Sequence, residues 1–545
     1  MSARYSVSLG RYEESVANAL GELRDERVVE RMWEGDHTVW GPEPDEIANR
    51  LGWLESPENT EKALPELLGL AEAIREGGVE HVLLMGMGGS SLAPEVFGLA
   101  LGGRDGYPDL DVLDSTDPEA VLRHAGGLDL SRTLFVVSTK SGGTVETFSF
   151  FKFFYNRVVE EVGEERAGSR FIAITDPGSG LADTAEKHGF RATFLNDPNI
   201  GGRYSGLSLF GALPAALIGV NVSRLLDAGH AAARECAEPA SEANPGAWLG
   251  AARGELARNH GRDKLTVLAS PSVAPFGPWV EQLVAESTGK DGVGILPVVE
   301  EPLAAPEAYG DDRFFVRMAL RGEEGGETER LLDELRNLGH PVFEIALDDA
   351  YDLGGEMFRW EVATAVAGQR LGINPFDQPN VESAKAQARK MVAEYRERGE
   401  LPEPEPTVEE GEVAVYLSGE ASSVEGALGG FFDGVRPGDY VALQAYLPPS
   451  EEATAALQHM RASLRDRFGV AATAGYGPRF LHSTGQLHKG DGGNGLFVQI
   501  TAENDEDAPI PDEAGEKEAA LTFGVLEAAQ ALGDRRALLD ADRRV

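Results

Sequence analysis

Short apolar runs alternate with longer amphipathic stretches along most of the chain after residue 78. The apolar runs have the length and the bounding turns of buried β-strands, and the stretches between them show the spacing of amphipathic helices. The strand-like runs of the first half are EHVLLMG, LDVLDST, RTLFVVSTK, RFIAITDP and ATFLND. Strands that alternate with helices in this way predict a doubly wound α/β domain with a parallel sheet.

The same alternation returns twice further along the chain. The runs KLTVLAS, VGILPVV, RFFVRMAL and PVFEIAL predict a second α/β domain, and EVAVYLSG, DYVALQAYLPP and GLFVQITA predict a third α/β segment. Residues 1–60 are polar with helical spacing and predict an N-terminal helical segment. The Pro- and Glu-rich run at 400–412 predicts an extended linker. We therefore expect α/β domains at 61–225 and 226–399 and a C-terminal α/β segment at 413–545.

Composition narrows the range of partners. The formal net charge of −42 argues against nucleic acids and anionic membranes as partners, because both are bound by clustered Lys and Arg. Acidic residues far outnumber lysines, which favours adaptation to high salt over an ordinary acidic protein.

Cys236 is the single cysteine, so an intramolecular disulfide or a cysteine metal cluster is excluded. No long apolar run or signal-like start is present, and we expect a soluble, cytoplasmic protein.

Two glycine- and hydroxyl-rich turns follow predicted strands and precede predicted helices. They are GMGGSS at 86–91 and STKSGGT at 138–144. Either run alone could equally be an ordinary tight turn without a binding role. The first run is also a weak match to a dinucleotide-binding fingerprint. Together, at the carboxyl ends of strands in one sheet, they predict a cradle for a phosphate group. The candidate phosphate ligands are Gly89, Ser90, Thr139, Lys140, Ser141 and Thr144.

Further charged residues lie in turns and at helix ends. Arg203 in GGRYS lies just before an apolar helix, and Glu286 in ESTGK closes an amphipathic helix with Gln282 one turn earlier on the same face. INPFDQPNVESAK places Gln378 before a helix and Lys385 within it. The alternatives are a surface arginine, a solvated helix end and a solvated lysine. A cation and a carboxylate beside a phosphate cradle indicate an enzyme acting on a small phosphorylated substrate.

Two histidines bracket a glycine-rich turn in GYGPRFLHSTGQLHKGDGG at 475–493. His482 and His488 are six residues apart, so they do not share a helical face, and the run lacks zinc-ligand spacing. We expect no metal site here. His482 is the candidate acid or base, and a structural histidine is the alternative.

These runs together resemble the glucose-6-phosphate isomerases, which are built from two sugar-isomerase (SIS-type) α/β domains. The resemblance covers roughly residues 30–395, with the motifs in the family's order. Motifs such as FLHSTGQLHKG are most similar to the isomerase half of bacterial transaldolase/isomerase fusions. It implies an aldose-ketose isomerase of glycolysis and gluconeogenesis that binds a carbohydrate derivative and needs no metal or organic cofactor. A homodimer is a further expectation. The alternatives are an isomerase of mannose or amino-sugar phosphates and a non-catalytic sugar-phosphate sensor.

The resemblance also implies roles for the candidate residues. Glu286 would move a proton between C1 and C2 through a cis-enediolate, and Arg203 would stabilise the oxyanion. Lys385 and His482 would open and close the sugar ring. The substrate phosphate would be held by Gly89, Ser90, Thr139, Lys140, Ser141, Thr144, Gln282 and Gln378. In the family's usual order the histidine lies between the glutamate and the lysine, whereas His482 follows Lys385. The C-terminal segment must therefore fold back over a site in its own or a partner subunit.

Overall fold

A computed structural model describes residues 4–402 and 404–545. The chain begins with a strand and three helices: β1 (Arg4–Ser8), α1 (Glu13–Asp25), α2 (Val28–Trp33) and α3 (Ser56–Glu76). Residues 1–60 were predicted to form an N-terminal helical segment. Residues 1–3 lie outside the described residues, and the described part of the segment begins with a strand rather than a helix. The run RYSVS pairs antiparallel with the edge of the second sheet, at Val342 to Ala346. A five-residue edge strand is too short for its periodicity to stand out, and the neighbouring sheet supplies its hydrogen bonds.

The first α/β unit contains a five-stranded parallel sheet in the order β3-β2-β4-β5-β6. Its elements are β2 (His81–Gly86), α4 (Leu92–Leu101), β3 (Asp109–Leu113), α5 (Pro118–Gly127), β4 (Thr133–Ser138), α6 (Val145–Val162), α7 (Glu164–Ala167), β5 (Phe171–Thr175), α8 (Gly180–Lys187) and β6 (Ala192–Leu195). Strands β2 and β4 are neighbours, and Gly86 pairs with Ser138. The two glycine- and hydroxyl-rich turns therefore lie side by side, at the switch point where ligands bind in such sheets.

The second unit also has a five-stranded sheet, in the order β1-β10-β9-β7-β8, parallel except for the edge strand β1. Its elements are α9 (Leu209–Leu217), α10 (Val222–Cys236), α11 (Pro245–His260), β7 (Lys264–Ala269), α12 (Phe276–Thr288), β8 (Leu296–Val298), β9 (Arg313–Leu320), α13 (Gly326–Asn337), β10 (Val342–Leu347), α14 (Leu353–Leu371) and α15 (Val381–Arg398). Helices α11 and α14 are buried through most of their length and form the centre of the largest core cluster. The predicted fold, α/β with parallel sheets, is confirmed.

The third segment has a three-stranded parallel sheet in the order β14-β13-β15. Its elements are β11 (Val408–Glu410), β12 (Val413–Val415), α16 (Val424–Phe432), β13 (Tyr440–Tyr446), α17 (Glu451–Phe468), β14 (Ala471–Tyr476), α18 (Gly485–Gly490), β15 (Gly495–Thr501), β16 (Pro509–Ile510), β17 (Leu521–Thr522) and α19 (Phe523–Asp540). The sequence pattern did not predict β14, whose run AATAGY is rich in small residues. Small residues carry little strand signal.

The linker predicted at 400–412 contains the start of a β-hairpin. Strands β11 and β12 pair with each other, so the prediction of an unpaired linker is wrong from Val408 onwards. Gly411 takes a φ of +64° in the two-residue turn, a conformation that suits a tight hairpin between residues with strand preference. The prolines that favoured an extended linker lie before the hairpin and do not interrupt it.

The end of the chain folds back onto the first unit. Helix α19 packs along α15, and Phe523 at its start stacks on Phe150 of α6 at a ring-centroid distance of 5.9 Å. The acidic run at 503–516 includes the buried residues Ala508 and Ile510. The C-terminal segment is thereby brought to the carboxyl edge of the first sheet. Among the described residues, no helix is both long and apolar enough to cross a membrane.

Candidate active site

Glycines allow three parts of the chain to meet at the carboxyl edge of the first sheet. Gly88 follows β2 with a φ of +54°, and a Cβ there would lie 2.7 Å from Gln282 Nε2 on α12. A Cβ on Gly89 would lie 2.0 Å from the carbonyl oxygen of Gly202. Any side chain at these two positions would therefore separate the turn from α12 and from the GGRYS run.

Arg203 and Glu286 form a buried pair at this meeting point. Arg203 Nη1 lies 3.3 Å from Glu286 Oε1, and their side chains are 2% and 9% exposed. Arg203 Nε donates to Ser287 Oγ at 2.7 Å, and Nη2 donates to the carbonyl oxygens of Pro375 and Asp377 at 2.7 and 3.0 Å. The alternatives of a surface arginine and a solvated helix end are wrong. The guanidinium is instead fixed in position by a fork of donors that only arginine offers.

Gln282 connects this carboxylate to the C-terminal segment. Its Nε2 donates to Glu286 Oε2 at 3.0 Å and to the carbonyl oxygen of His482 at 2.8 Å. We expected Gln282 to contact the substrate phosphate, and in the structure its amide nitrogen is committed to these two acceptors. The side chain of Gln282 thus connects the turn that carries His482 to Glu286, and all three belong to the same chain.

A carboxylate on α6 holds the imidazole of His482. Glu146 Oε1 lies 3.0 Å from His482 Nε2, and the same oxygen accepts a hydrogen bond of 2.7 Å from Gln530 Nε2. Burial opposes ionisation of Glu146, yet the charge and hydrogen bond of His482 hold the pKa of that carboxyl below its usual value. Pairing of Nε2 with a carboxylate fixes the ring orientation and leaves Nδ1 as the nitrogen that can exchange protons.

His488 lies apart from this pair. It is 2% exposed, and its Nδ1 is 3.2 Å from Gln444 Nε2. Burial, and then the nearby positive charge of Lys489, lower its pKa well below the ordinary value. A histidine kept neutral in this way packs as a structural residue.

The predicted phosphate ligands divide into two sets. Thr139 Oγ1 and Thr144 Oγ1 are 2.8 Å apart, just before the N-terminus of the 18-residue helix α6, and Ser141 is exposed beside them. Lys140 forms an ion pair with Asp176 and donates to the carbonyl oxygen of Pro198 at 2.9 Å. The hydroxyls therefore surround a helix N-terminus, where an anion is favoured, while the lysine faces a carboxylate.

Ser90 and the two candidates from INPFDQPNVESAK complete the predicted set. Ser90 is 8% exposed, beside Gly89 in the turn. Gln378 is exposed in the loop before α15. Lys385 on α15 is 39% exposed, with Nζ 3.4 Å from Glu382 Oε1, and its charge contributes to lowering the pKa of Glu146. Gln378 and Lys385 thus lie at the open side of the site, and neither joins the buried hydrogen bonds.

Three residues that reasoning from sequence did not select belong to the same network. Lys290 is buried and donates to Asp377 Oδ1 at 2.7 Å, and burial lowers its pKa to about 8. Glu146 lies two residues after Thr144, so its place next to a candidate motif was a usable signal. Gln530 lies on the terminal helix, and nothing in the local sequence distinguishes it.

Comparison with known proteins identifies the family of this chain. The family model described as phosphoglucose isomerase matches residues 67–310. The glucose-6-phosphate isomerase of Rubrobacter xylanophilus is 30% identical, over 63% of this chain and 92% of that protein. The chain belongs to the phosphoglucose isomerase family. A second family member, the probable glucose-6-phosphate isomerase of Natronomonas pharaonis, is 30% identical over 63% of this chain and 86% of its own.

Solved structures agree with the observed fold. A hypothetical protein of Thermus thermophilus aligns with a TM-score of 0.62 at 26% identity, covering 72% of this chain and all (100%) of that one. A glucose-6-phosphate isomerase of Chlamydia trachomatis aligns with the same TM-score, 0.62, at 18% identity, covering 72% of this chain and 89% of that one. At 18% identity the second structure supports the assignment of the fold alone. The family membership predicted from the motifs is confirmed.

Proposed function

We propose that this enzyme interconverts glucose 6-phosphate and fructose 6-phosphate. The observation that carries the proposal is the buried pair of Arg203 and Glu286, 3.3 Å apart, beside the turn that bears His482. A carboxylate and a fixed cation at the carboxyl edge of a sheet suit proton transfer at a carbon next to a carbonyl group. The relatives named as glucose-6-phosphate isomerases support the choice of substrate.

The reaction begins with ring opening. His482, oriented by Glu146, would exchange a proton with the ring oxygen through Nδ1, and Lys385 would assist from the open side of the site. Glu286 would then remove the proton from C2 of the open-chain aldose and return it to C1, while the proton of the C2 hydroxyl passes to the oxygen on C1. The enediolate between these steps carries a negative charge on oxygen, which the Arg203 guanidinium would stabilise. Thr139, Ser141 and Thr144, with their neighbours in the turn, would hold the phosphate at the start of α6.

The base is tested by Glu286→Gln, with glucose 6-phosphate formation from fructose 6-phosphate followed in a coupled assay. We expect a loss of kcat on the order of 10³-fold, within the usual range for general-base catalysis, with substrate binding by calorimetry largely retained. Glu307→Gln, at an exposed position, is the control and should keep full activity. A Glu286→Gln variant with more than about a tenth of the wild-type kcat would assign the base to another residue.

Oligomeric state and location remain predictions of this proposal. The site takes His482, Glu146 and Glu286 from one chain, so a homodimer is not needed to complete these contacts. Sedimentation at micromolar concentration would show whether the chain forms the expected dimer. A cytoplasmic location is part of the same proposal, since that is where a glycolytic isomerase would meet its substrate.

A further inference from the structure

The terminal helix contributes one buried polar side chain to the catalytic network. Gln530 is 3% exposed, its Nε2 donates to Glu146 Oε1 at 2.7 Å, and its Oε1 accepts from Thr116 Oγ1 at 2.7 Å. An ionised carboxylate only accepts hydrogen bonds, so the amide nitrogen must face Glu146 and the amide oxygen must face the hydroxyl. Both ends of the amide are therefore used, and its orientation is fixed.

Gln530 and His482 share one oxygen of the same carboxylate. His482 Nε2 lies 3.0 Å from Glu146 Oε1, the atom to which Gln530 donates. We propose that Gln530 is a positioning residue for ring opening, which acts on His482 by holding Glu146 in place and by competing for its oxygen. The inference rests on the proposed function, because it assigns His482 the ring-opening step.

Attachment of the helix does not depend on this contact. Asp534, one turn further along α19, forms a buried ion pair with Lys489 at 2.6 Å, and Phe523 stacks on Phe150 at the start of the helix. These two contacts hold the helix in place without the Gln530 amide. Loss of Gln530 should therefore change the chemistry of His482 more than the stability of the fold.

Other charged groups also act on the pair and must stay constant in a test. Lys385 acts on Glu146 and Asp114 acts on His482, while Tyr446 is affected by the charge of Glu146. Arg479 is next to Asp114, with Nη1 at 3.1 Å from Asp114 Oδ2. None of these side chains is altered by a substitution at Gln530, so a difference between variant and wild type reports on the amide itself.

The test compares Gln530→Met with Gln499→Met. Methionine keeps the length of glutamine without its hydrogen bonds. Gln499 lies on β15 and donates to the carbonyl oxygen of Ala531 on α19 at 3.1 Å. We expect Gln530→Met to lower kcat on glucose 6-phosphate about 10-fold, the effect of one hydrogen bond to a charged group, with KM nearly unchanged. Gln499→Met should match the wild type.

The pH profile and an acyclic substrate give the distinguishing readouts. Without the amide donor, Glu146 would bind the imidazolium more strongly. His482 must donate a proton to the ring oxygen to open glucose 6-phosphate, so the alkaline limb of kcat/KM, which reports the loss of that proton, should move to higher pH. Gln530→Glu adds a negative charge and should move it further. Turnover of a fructose 6-phosphate analogue that lacks the C5 hydroxyl, and so cannot close its furanose ring, should be spared in both variants.

The outcomes separate this inference from the proposed function. A wild-type protein without isomerase activity would refute the function itself. The role of Gln530 would be refuted if the wild type is active but the Gln530→Met variant has an unshifted pH profile. It would also be refuted if that variant loses activity on the acyclic and the cyclic substrate equally. Should Gln530→Met fail to fold, Thr116→Val removes only the hydrogen bond that orients the amide, and a smaller shift of the profile in the same direction is then required.

Discussion

Glu527→Gln should stabilise the protein at neutral and alkaline pH. Glu527 lies on α19, is 4% exposed and faces the first unit. Burial, and then the negative charge of Asp117, raise its pKa from the ordinary 4.5 to about 8. A carboxyl whose pKa is raised on folding contributes stability below its unfolded pKa, and that contribution is lost as the pH rises through the folded value. Glutamine has the same shape and no charge to bury, so it removes this loss.

The magnitude follows from the two pKa values, 4.5 and about 8. At pH 5 the ionisation cost removed by glutamine is below about 1 kcal/mol, and at pH 7 it is about 3 kcal/mol, at roughly 1.36 kcal/mol per pH unit. Above about pH 8 the difference should level off near 5 kcal/mol. Part of this cost is the repulsion from Asp117, whose own pKa is also raised by burial.

The assay is thermal unfolding of both proteins from about pH 5 to about pH 9. The difference in Tm between Glu527→Gln and wild type should be small at the acid end and should grow until about pH 8. Glu503→Gln is the matched control, because it removes an equal charge from an exposed position near the same helix. A Tm difference that does not change with pH, or that Glu503→Gln reproduces, would refute the argument from burial.

Two further predictions follow from the site and the composition. The double variant Ser141→Ala/Thr144→Ala should raise KM far more than it lowers kcat in steady-state assays, because a phosphate is held equally in the ground and transition states; an equal loss in kcat would contradict a binding role. Activity and Tm should both rise between about 10 mM and 1 M KCl, since salt screens the net charge of −42 from itself and from an anionic substrate; a flat response of both would contradict salt adaptation.

The sequence allowed prediction of those parts of the site that lie in turns of unusual composition. Arg203 and Glu286 could be selected because a charged residue among glycines, or at the end of an apolar helix, has to be explained by a specific contact. The parallel sheets could be predicted because their strands are buried on both faces and read as continuous apolar runs. Strand β1, with five residues at a sheet edge, and the small residues of β14 lack that signal.

The contacts between distant parts of the chain could not be predicted in the same way. Gln530 is 384 residues from Glu146, and a glutamine on a helix is ordinarily solvated. The packing of α19 along α15 and the stacking of Phe523 on Phe150 bring it against the first unit. The position of His482 after Lys385 in the sequence has the same explanation, since the order of residues along the chain does not restrict the order of groups around a site.

Several independent contacts hold the C-terminal segment, and with it His482, against the rest of the molecule. The number of these contacts determines which substitutions or truncations are informative. Gln282 binds the carbonyl oxygen of His482, and Arg479 forms ion pairs with Glu95 and Asp114 on the first unit. Burial raises the pKa of Asp114 to about 6, so the Arg479 cation faces a carboxyl that is costly to ionise. Removal of the whole segment would break all of these contacts and expose the face of α15 that α19 covers. Loss of activity on truncation would then report on folding, whereas single substitutions in the segment leave the remaining attachments in place and isolate the chemistry of the imidazole.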